Sequence, residues 1–147
     1  MSGKSEKIVY ACFSTSVIHE GHKNIINEAK KYGTLIAGIL SDEACIRYDR
    51  FPMLNTESRV RLFEAVSEVS KVIIQRTVSY KDVLREFRPD YVIHGDNWRE
   101  GPQSVIRNEV IDILREWNGQ LIEIPYTKND NVKRIDDITR EKLAMPE

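Results

Sequence analysis

The chain has 147 residues, with 22 basic and 23 acidic side chains and a formal charge of −1. This length suits one domain, and the balanced charge gives no reason to expect binding to nucleic acid or to an anionic membrane surface. The apolar runs are too short for a membrane span and the N-terminus lacks a signal-peptide core, which predicts a cytoplasmic protein. Cys12 and Cys45 show no framework spacing, so we expect two reduced thiols.

Strand-like and helix-like segments alternate along the chain. In chain order, the patterns predict a strand at 7–13, a helix at 19–32, a strand at 34–40, a short helix from Ser41, a helix from Asn55, a strand at 72–74, a helix at 80–87, a strand at 90–94, a helix at 104–117 and a strand at 120–124. Gly33 and Gly119 are expected to end the helices that precede them. Repeated βα units predict an α/β, Rossmann-like fold, with a five-stranded parallel sheet and helices on both faces.

The first strand leads into the motif His19-Glu20-Gly21-His22. The two histidines lie three positions apart in the first helical turn, so both rings can face one point beyond the helix N-terminus, where anions bind well. Gly21 lets a ligand approach the backbone. The arrangement suits attack on the α-phosphate of a nucleoside triphosphate, with histidine donors that can be cationic near neutral pH. The alternatives are an ordinary capping pair and a zinc site completed by His94, although zincin histidines lie four positions apart.

Polar residues collect at the predicted carboxyl ends of the strands, where open parallel sheets bind ligands. They occupy 14–16, 41–42, 94–99 and 125–128. Within the third group, Gly95 permits a tight turn, while Asp96 and Trp98 offer hydrogen-bonding and stacking surfaces for a nucleoside. The alternative is a plain strand-to-helix turn with Trp98 packed on the domain.

Together, the H-x-G-H and G-D-x-W motifs resemble those of the cytidylyltransferases in the nucleotidyltransferase superfamily, over nearly the whole chain. Segments 12–15, 40–44, 50–52 and 91–98 are most similar to the cytidylyltransferases of phosphonate biosynthesis, including domains fused to phosphoenolpyruvate mutase. The resemblance implies one cytidylyltransferase domain, with 129–147 as a tail or linker, and a homodimer. It also implies transfer of CMP from CTP to 2-aminoethylphosphonate or 2-hydroxyethylphosphonate, with Mg²⁺ and release of pyrophosphate.

The resemblance also implies roles by position. His19 and His22 would stabilise the α-phosphate transition state. The nucleotide would be bound by Phe13, Ser14, Thr15, Gly21, Asp96, Trp98 and Thr127. The dianionic acceptor needs cations, and the candidates, each of which could instead be a solvated surface charge, are Arg47, Arg50, Arg59, Arg99 and Arg107.

The chain departs from its relatives at two places. They usually carry Asp where this chain has Ser16, so a role in binding metal or acceptor could pass to Asp42. They also carry a Ser/Thr-rich signature after the last strand, and here Thr127 and Lys128 could hold the triphosphate instead. Two alternatives therefore stay open, namely a cytidylyltransferase for a phosphate monoester such as glycerol 3-phosphate, and a degenerate CTP-binding module.

Overall fold

A computed structural model describes residues 6–47 and 51–125. The strands are β1 (Ile8–Phe13), β2 (Thr34–Leu40), β3 (Val69–Gln75), β4 (Tyr91–Gly95) and β5 (Gln120–Ile124), and the helices are α1 (Glu20–Lys30), α2 (Asp42–Arg47), α3 (Thr56–Glu64), α4 (Lys81–Phe87) and α5 (Ser104–Leu114). Short 3₁₀ turns occupy Asp96–Trp98 and Arg115–Trp117. No helix within 6–47 and 51–125 has the length and apolar surface needed to cross a lipid bilayer.

The strands form one parallel sheet in the order β3-β2-β1-β4-β5. The chain builds outward from β1 to β3 and then returns to the other side of β1. The strand order therefore reverses between β1 and β4, where open α/β sheets form their ligand crevice. The predicted Rossmann-like, five-stranded parallel fold is confirmed.

Successive side chains of β1 point to opposite faces of the sheet, and helices cover the apolar side chains on each face. Val9, Ala11 and Phe13 are buried in a cluster that includes residues of α1 and α3. Tyr10 is buried in a second cluster with residues of α4 and α5, and Cys12 packs against it. The end of β1 thus presents Phe13 to one face and Cys12 to the other.

Two glycines lie at the predicted helix ends. The C-cap of helix α1 is Lys31, in a right-handed conformation, whereas Gly33 is required because a Cβ there would lie 2.2 Å from the carbonyl oxygen of Lys7. After α5, the left-handed residue is Asn118 with φ of 60°, and Gly119 follows it, packed against Leu114. Neither glycine adopts the left-handed conformation, but the N–H of Gly33 bonds to the carbonyl oxygen of Ala29 and that of Gly119 to the carbonyl oxygen of Leu114, so both lie where the preceding helix ends.

Some predicted boundaries also shift. Strand β3 begins at Val69 rather than at 72, because exposed Ser70 and Lys71 on this edge strand interrupt the apolar pattern. The predicted helix 104–117 consists of α5 followed by the 3₁₀ turn. His19 precedes the first helical residue and caps it.

Candidate active site

The motif histidines hold the first turn of α1 through reciprocal hydrogen bonds. Nδ1 of His19 accepts a hydrogen bond of 3.0 Å from the backbone N–H of Gly21, and also accepts one from the backbone N–H of His22. In return, Nδ1 of His22 accepts one of 3.2 Å from the backbone N–H of His19. This is a capping box built from two imidazoles, so the capping interpretation of the motif is confirmed.

The capping bonds also fix the tautomer of each ring. A backbone N–H can only donate, so an Nδ1 that bonds to it must be an unprotonated acceptor. The ring proton of a neutral imidazole then lies on Nε2. The ring centroids of His19 and His22 are 3.8 Å apart. Two Nε2–H donors are therefore held side by side at the N-terminus of α1.

The environment of His22 favours the neutral ring. Burial, together with the neighbouring charge of His19, lowers the pKa of His22 from its ordinary 6.5 to about 3. Its ring also lies edge-on to the Phe13 ring, with 6.0 Å between centroids. His22 is thus a neutral donor at pH 7, which corrects the expectation of a cationic one for this residue.

We expect acid to destabilise the protein through His22. Between pH 6.5 and about 3 the unfolded chain takes up a proton at His22 that the folded protein does not. The free energy of unfolding therefore has its full value above pH 6.5 and decreases as the pH falls below it. Urea unfolding should show a loss of about 1 kcal/mol between pH 7 and 5.5.

The matched control for this titration is His22→Gln, because glutamine at this position retains the capping box but does not titrate. Its stability should depend less on pH over the same interval. An equally steep dependence in the variant would assign the titration to another group.

Ser16 ties two loops together at the edge of the motif. Its Oγ accepts a hydrogen bond of 3.0 Å from the backbone N–H of Leu54, in the segment that leads into α3. Thr15 closes a tight turn with Val17 through its hydroxyl group. Ser16 is therefore a structural anchor between these two loops.

Asp42 and Arg59 form an internal ion pair. Arg59 is fully buried, and its Nη2 donates to Oδ1 of Asp42 at 2.7 Å. It also donates to the carbonyl oxygens of Leu40 and Leu54. Burial raises the pKa of Asp42, but hydrogen bonds from Arg59 and Thr56 outweigh it, so the pKa lies below its ordinary value. Both residues were candidates for acceptor binding, and the structure instead directs them toward each other.

Glu123 in β5 organises a second polar cluster. Its carboxylate is 7% exposed and accepts hydrogen bonds from Nε1 of Trp98 at 2.7 Å, from Nε of Arg99 at 2.9 Å and from Nε and Nη2 of Arg107 at 2.8 and 3.1 Å. Burial opposes ionisation, but these bonds lower the pKa of Glu123 to about 2. Sequence reasoning missed Glu123, although a carboxylate inside an apolar strand is a usable signal of buried pairing.

The G-D-x-W segment forms the turn after β4. Trp98 is 1% exposed and stacks on the ring of His94, with 3.6 Å between centroids and 2° between planes. Its interpretation as a packed tryptophan is confirmed. Asp96 opens the turn and is partly exposed.

A pocket of about 90 Å³ lies at the carboxyl ends of the strands, on the face of the sheet that α4 and α5 cover. The strands contribute Cys12, Leu40, Gln75 and His94, one at or near the end of each of β1 to β4. The other lining residues are Ser14, Val78, Tyr80, Asn97, Trp98, Gln103 and Ile106. Two candidate nucleotide-binding residues, Ser14 and Trp98, therefore border one pocket.

A metal site is not evident in the part of the chain that the structure describes. Residues 6–47 and 51–125 contain no group of three His, Cys, Asp or Glu side chains that could hold a metal ion. His94 stacks on Trp98 and bonds through Nδ1 to the carbonyl oxygen of Gly95 at 2.7 Å. The zinc alternative therefore lacks a ligand set there. Cys12 and Cys45 are free thiols, as predicted.

Comparison with known proteins agrees with this geometry. A family model described as cytidylyltransferase-like matches residues 13–138. The chain belongs to the cytidylyltransferase-like family. Bifunctional protein HldE of Desulfatibacillum aliphaticivorans is 25% identical over 136 residues, which cover 90% of this chain and 26% of that protein. Ethanolamine-phosphate cytidylyltransferase of Arabidopsis thaliana is 32% identical over 92 residues, which cover 58% of this chain and 21% of that protein.

This cytidylyltransferase-like chain thus spans about a quarter of the length of those two curated relatives. Among solved structures, the lipopolysaccharide core biosynthesis protein from Thermoplasma volcanium GSS1 has a TM-score of 0.69 at 19% identity, covering 86% of this chain and 100% of that chain. The similarity to this solved structure shows the fold alone.

Besides the Asp42–Arg59 pair, the structure brings predicted site residues of the cytidylyltransferase-like chain together in two clusters. His19, Gly21 and His22 meet at the start of α1, and Phe13 packs beneath them with its ring stacked on that of Phe63. Trp98, Arg99 and Arg107 meet on Glu123, and Arg47 is exposed at the end of α2. Arg50, Thr127 and Lys128 lie outside the described residues, and so does the predicted tail 129–147.

Proposed function

We propose that the chain transfers CMP from magnesium-CTP to a small phosphonate of the 2-hydroxyethylphosphonate or 2-aminoethylphosphonate type, with release of pyrophosphate. The observation that carries this proposal is the pair of Nε2–H donors on His19 and His22, held by their capping bonds at the N-terminus of α1. They stand beside the point where the strand order reverses, which is where ligands bind in open parallel sheets.

In the proposed reaction, a phosphonate oxygen attacks the α-phosphorus of CTP. A new phosphorus–oxygen bond forms, the bond between the α-phosphorus and the bridging oxygen breaks, and pyrophosphate leaves with that electron pair. An ionised phosphonate oxygen is already a nucleophile, so no general base is needed. Negative charge grows on the α-phosphoryl oxygens and on the departing oxygen, where fixed N–H donors and the helix dipole stabilise it without reorganisation.

We assign Mg²⁺ to the substrate rather than to a protein site. Two carboxylates at this end of the sheet are engaged by arginines, because Asp42 pairs with Arg59 and Glu123 with Arg99 and Arg107, and the described residues contain no group of three potential metal ligands. Mg²⁺ commonly keeps several water ligands and binds through substrate phosphates. The described side chains therefore do not form a dedicated magnesium site, and their proposed contribution is to hold the triphosphate.

Arginines near the end of β5 are the proposed source of positive charge. Arg99 is 56% exposed and Arg107 is 26% exposed, so each retains surface that an anion can reach although both contact Glu123. Two arginines against one carboxylate leave a net positive charge at this edge of the sheet. That charge suits a phosphonate or a phosphate dianion, since arginine binds such groups well.

Transfer to a phosphate monoester is the second candidate. It is favoured by the similarity to a protein named ethanolamine-phosphate cytidylyltransferase, although that likeness covers 58% of this chain. A degenerate CTP-binding module is the third candidate, because Ser16 replaces an aspartate of the relatives.

The decisive experiment is an assay of pyrophosphate release with Mg²⁺ and CTP. The acceptors are 2-hydroxyethylphosphonate, 2-aminoethylphosphonate, phosphocholine, phosphoethanolamine and glycerol 3-phosphate, and ATP replaces CTP as the control nucleotide. We expect turnover with a phosphonate and CTP. Turnover confined to a phosphate monoester would support the second candidate instead.

Turnover with ATP but not with CTP would overturn the assignment of the nucleotide. If no acceptor leads to pyrophosphate release while CTP still binds, the result would support the degenerate module. In that case Ser16→Asp is the first change to make.

A further inference from the structure

The walls of the pocket at the carboxyl ends of β1 to β4 contain no carboxylate. None of the eleven described residues that line it carries a carboxylate, an ammonium or a guanidinium group. Neutral hydrogen-bonding groups are supplied by Ser14, Asn97 and Gln103, and aromatic surface by Tyr80 and Trp98. Such a lining recognises shape and hydroxyl or amide groups rather than charge.

Carboxylates on the elements that surround the pocket form hydrogen bonds or ion pairs with residues other than a ligand in the pocket. Glu109 of α5 accepts hydrogen bonds from the hydroxyl group of Ser79 at 2.7 Å and from the backbone N–H of Tyr80 at 3.1 Å. Glu123 bonds to Trp98 and to two arginines, and Asp42 pairs with Arg59. Asp96 neighbours Asn97 but is not among the residues that line the pocket. A cation entering the pocket would therefore meet no counter-charge from its described walls.

The end of β1 links the pocket to the histidine pair along the chain. Ser14 lines the pocket, while the preceding residue, Phe13, contacts the ring of His22 from the other face of the sheet. In the binding mode proposed below, a short acceptor spans the end of β1, with its phosphorus group near the histidines and its other end in the pocket. A volume of about 90 Å³ suits a group of a few non-hydrogen atoms.

Hydroxyl and ammonium groups differ sharply in such surroundings. A hydroxyl group both donates and accepts hydrogen bonds. The side-chain amides of Asn97 and Gln103 can match both roles, because each has an NH₂ donor and a carbonyl acceptor. An ammonium group only donates, and moving its charge from water into a pocket without a carboxylate is unfavourable. The lining therefore discriminates between two acceptors of equal size.

Resting on the proposed function, we propose that this pocket receives the end of the acceptor remote from phosphorus and selects an uncharged, hydroxyl-bearing group over an ammonium group. This proposal reassigns Ser14 and Trp98, which were candidates for binding the nucleotide, to the acceptor. The substrate class is then a hydroxyalkyl phosphonate or phosphate rather than an aminoalkyl one.

The test compares two matched pairs of acceptors, so that the pocket is examined separately from the phosphorus chemistry. One pair is 2-hydroxyethylphosphonate and 2-aminoethylphosphonate, and the other is 2-hydroxyethyl phosphate and phosphoethanolamine. We expect kcat/KM to be at least tenfold higher for the hydroxyl member of whichever pair is turned over. Turnover of the phosphate pair alone would contradict the phosphonate assignment while leaving the pocket inference standing.

Equal kcat/KM values within a pair, or a preference for the amine, would overturn the pocket inference without touching the proposed transfer reaction. If no acceptor is turned over, the proposed function fails and the same pairs are compared by calorimetric titration in the presence of CTP. Equal or undetectable binding of the two members would then overturn the inference as well.

A charge placed in the pocket wall should reverse part of the preference. Asn97→Asp adds a carboxylate of the same size to the lining, and we expect the ratio of hydroxyl to amine kcat/KM to fall at least tenfold. Asn97 and Asn108 are both exposed, so the control is Asn108→Asp on α5, outside the lining, where the same change should not move the ratio. An unchanged ratio in Asn97→Asp, with native circular dichroism, would also overturn the inference.

Discussion

Replacing His19 with Asn is expected to lower kcat for CMP transfer by a factor of about 10²–10³ while changing the Kd of CTP by less than about tenfold. Asparagine is a good helix N-cap, so the variant keeps the hydrogen bond that begins α1 and loses the Nε2–H donor. In the proposed reaction, that donor stabilises charge that develops in the transition state more than charge present in the bound substrate. Single-turnover kinetics and equilibrium titration with CTP measure the two quantities separately.

The comparison with His19→Ala distinguishes catalysis from helix capping. Alanine removes both the cap and the donor, so it should add a loss of about 1 kcal/mol in unfolding free energy to a similar loss in kcat. If His19→Asn turned over like the unaltered protein, the histidine would act only as a cap. If turnover and CTP affinity fell in parallel, the residue would bind the ground state and not favour the transition state.

Replacing Arg59 with Met is expected to lower the free energy of unfolding by about 3–5 kcal/mol. The guanidinium is fully buried and bonds to Asp42 and to the carbonyl oxygens of Leu40 and Leu54. Methionine fills much of the volume but leaves these acceptors without their donor. Urea unfolding at pH 7 measures the loss. The result is informative because Arg59 and its partner Asp42 were both candidates for binding the acceptor.

The control is Arg61→Met, an exposed position on the same helix, which should change stability by about 0.5 kcal/mol or less. Under conditions where Arg59→Met is folded, its KM for the acceptor should stay close to that of the unaltered protein. A variant of normal stability with a KM raised more than tenfold would identify Arg59 as a ligand of the acceptor.

The repeated unit of strand and helix was readable from sequence because it depends on local patterns. The apolar runs of β2 and β5 matched their predicted ends, and the H-x-G-H motif marked the start of α1. Boundaries were lost where the pattern weakens, as on the edge strand β3, whose Ser70 and Lys71 face solvent.

The pairing of buried charges was not readable, since it depends on contacts between distant parts of the chain. Arg59 stands 17 positions from Asp42, and Arg107 stands 16 from Glu123. In sequence each arginine looks like any surface cation on a helix. Trp98 offered an aromatic face for a nucleoside, but its burial depends on His94 and on Glu123, which the fold brings beside it.

Because His19 and His22 cap the first turn of α1 reciprocally, the folding of that turn and the alignment of the two Nε2–H donors occur together. Any event that adds a proton to an Nδ1 atom, or unwinds the turn, removes the cap and the alignment of both rings at once. We expect amide exchange at Gly21 and His22 to report the fraction of molecules in which both donors are aligned for the proposed transfer. A bound triphosphate should slow that exchange, because it stabilises the same ordered turn.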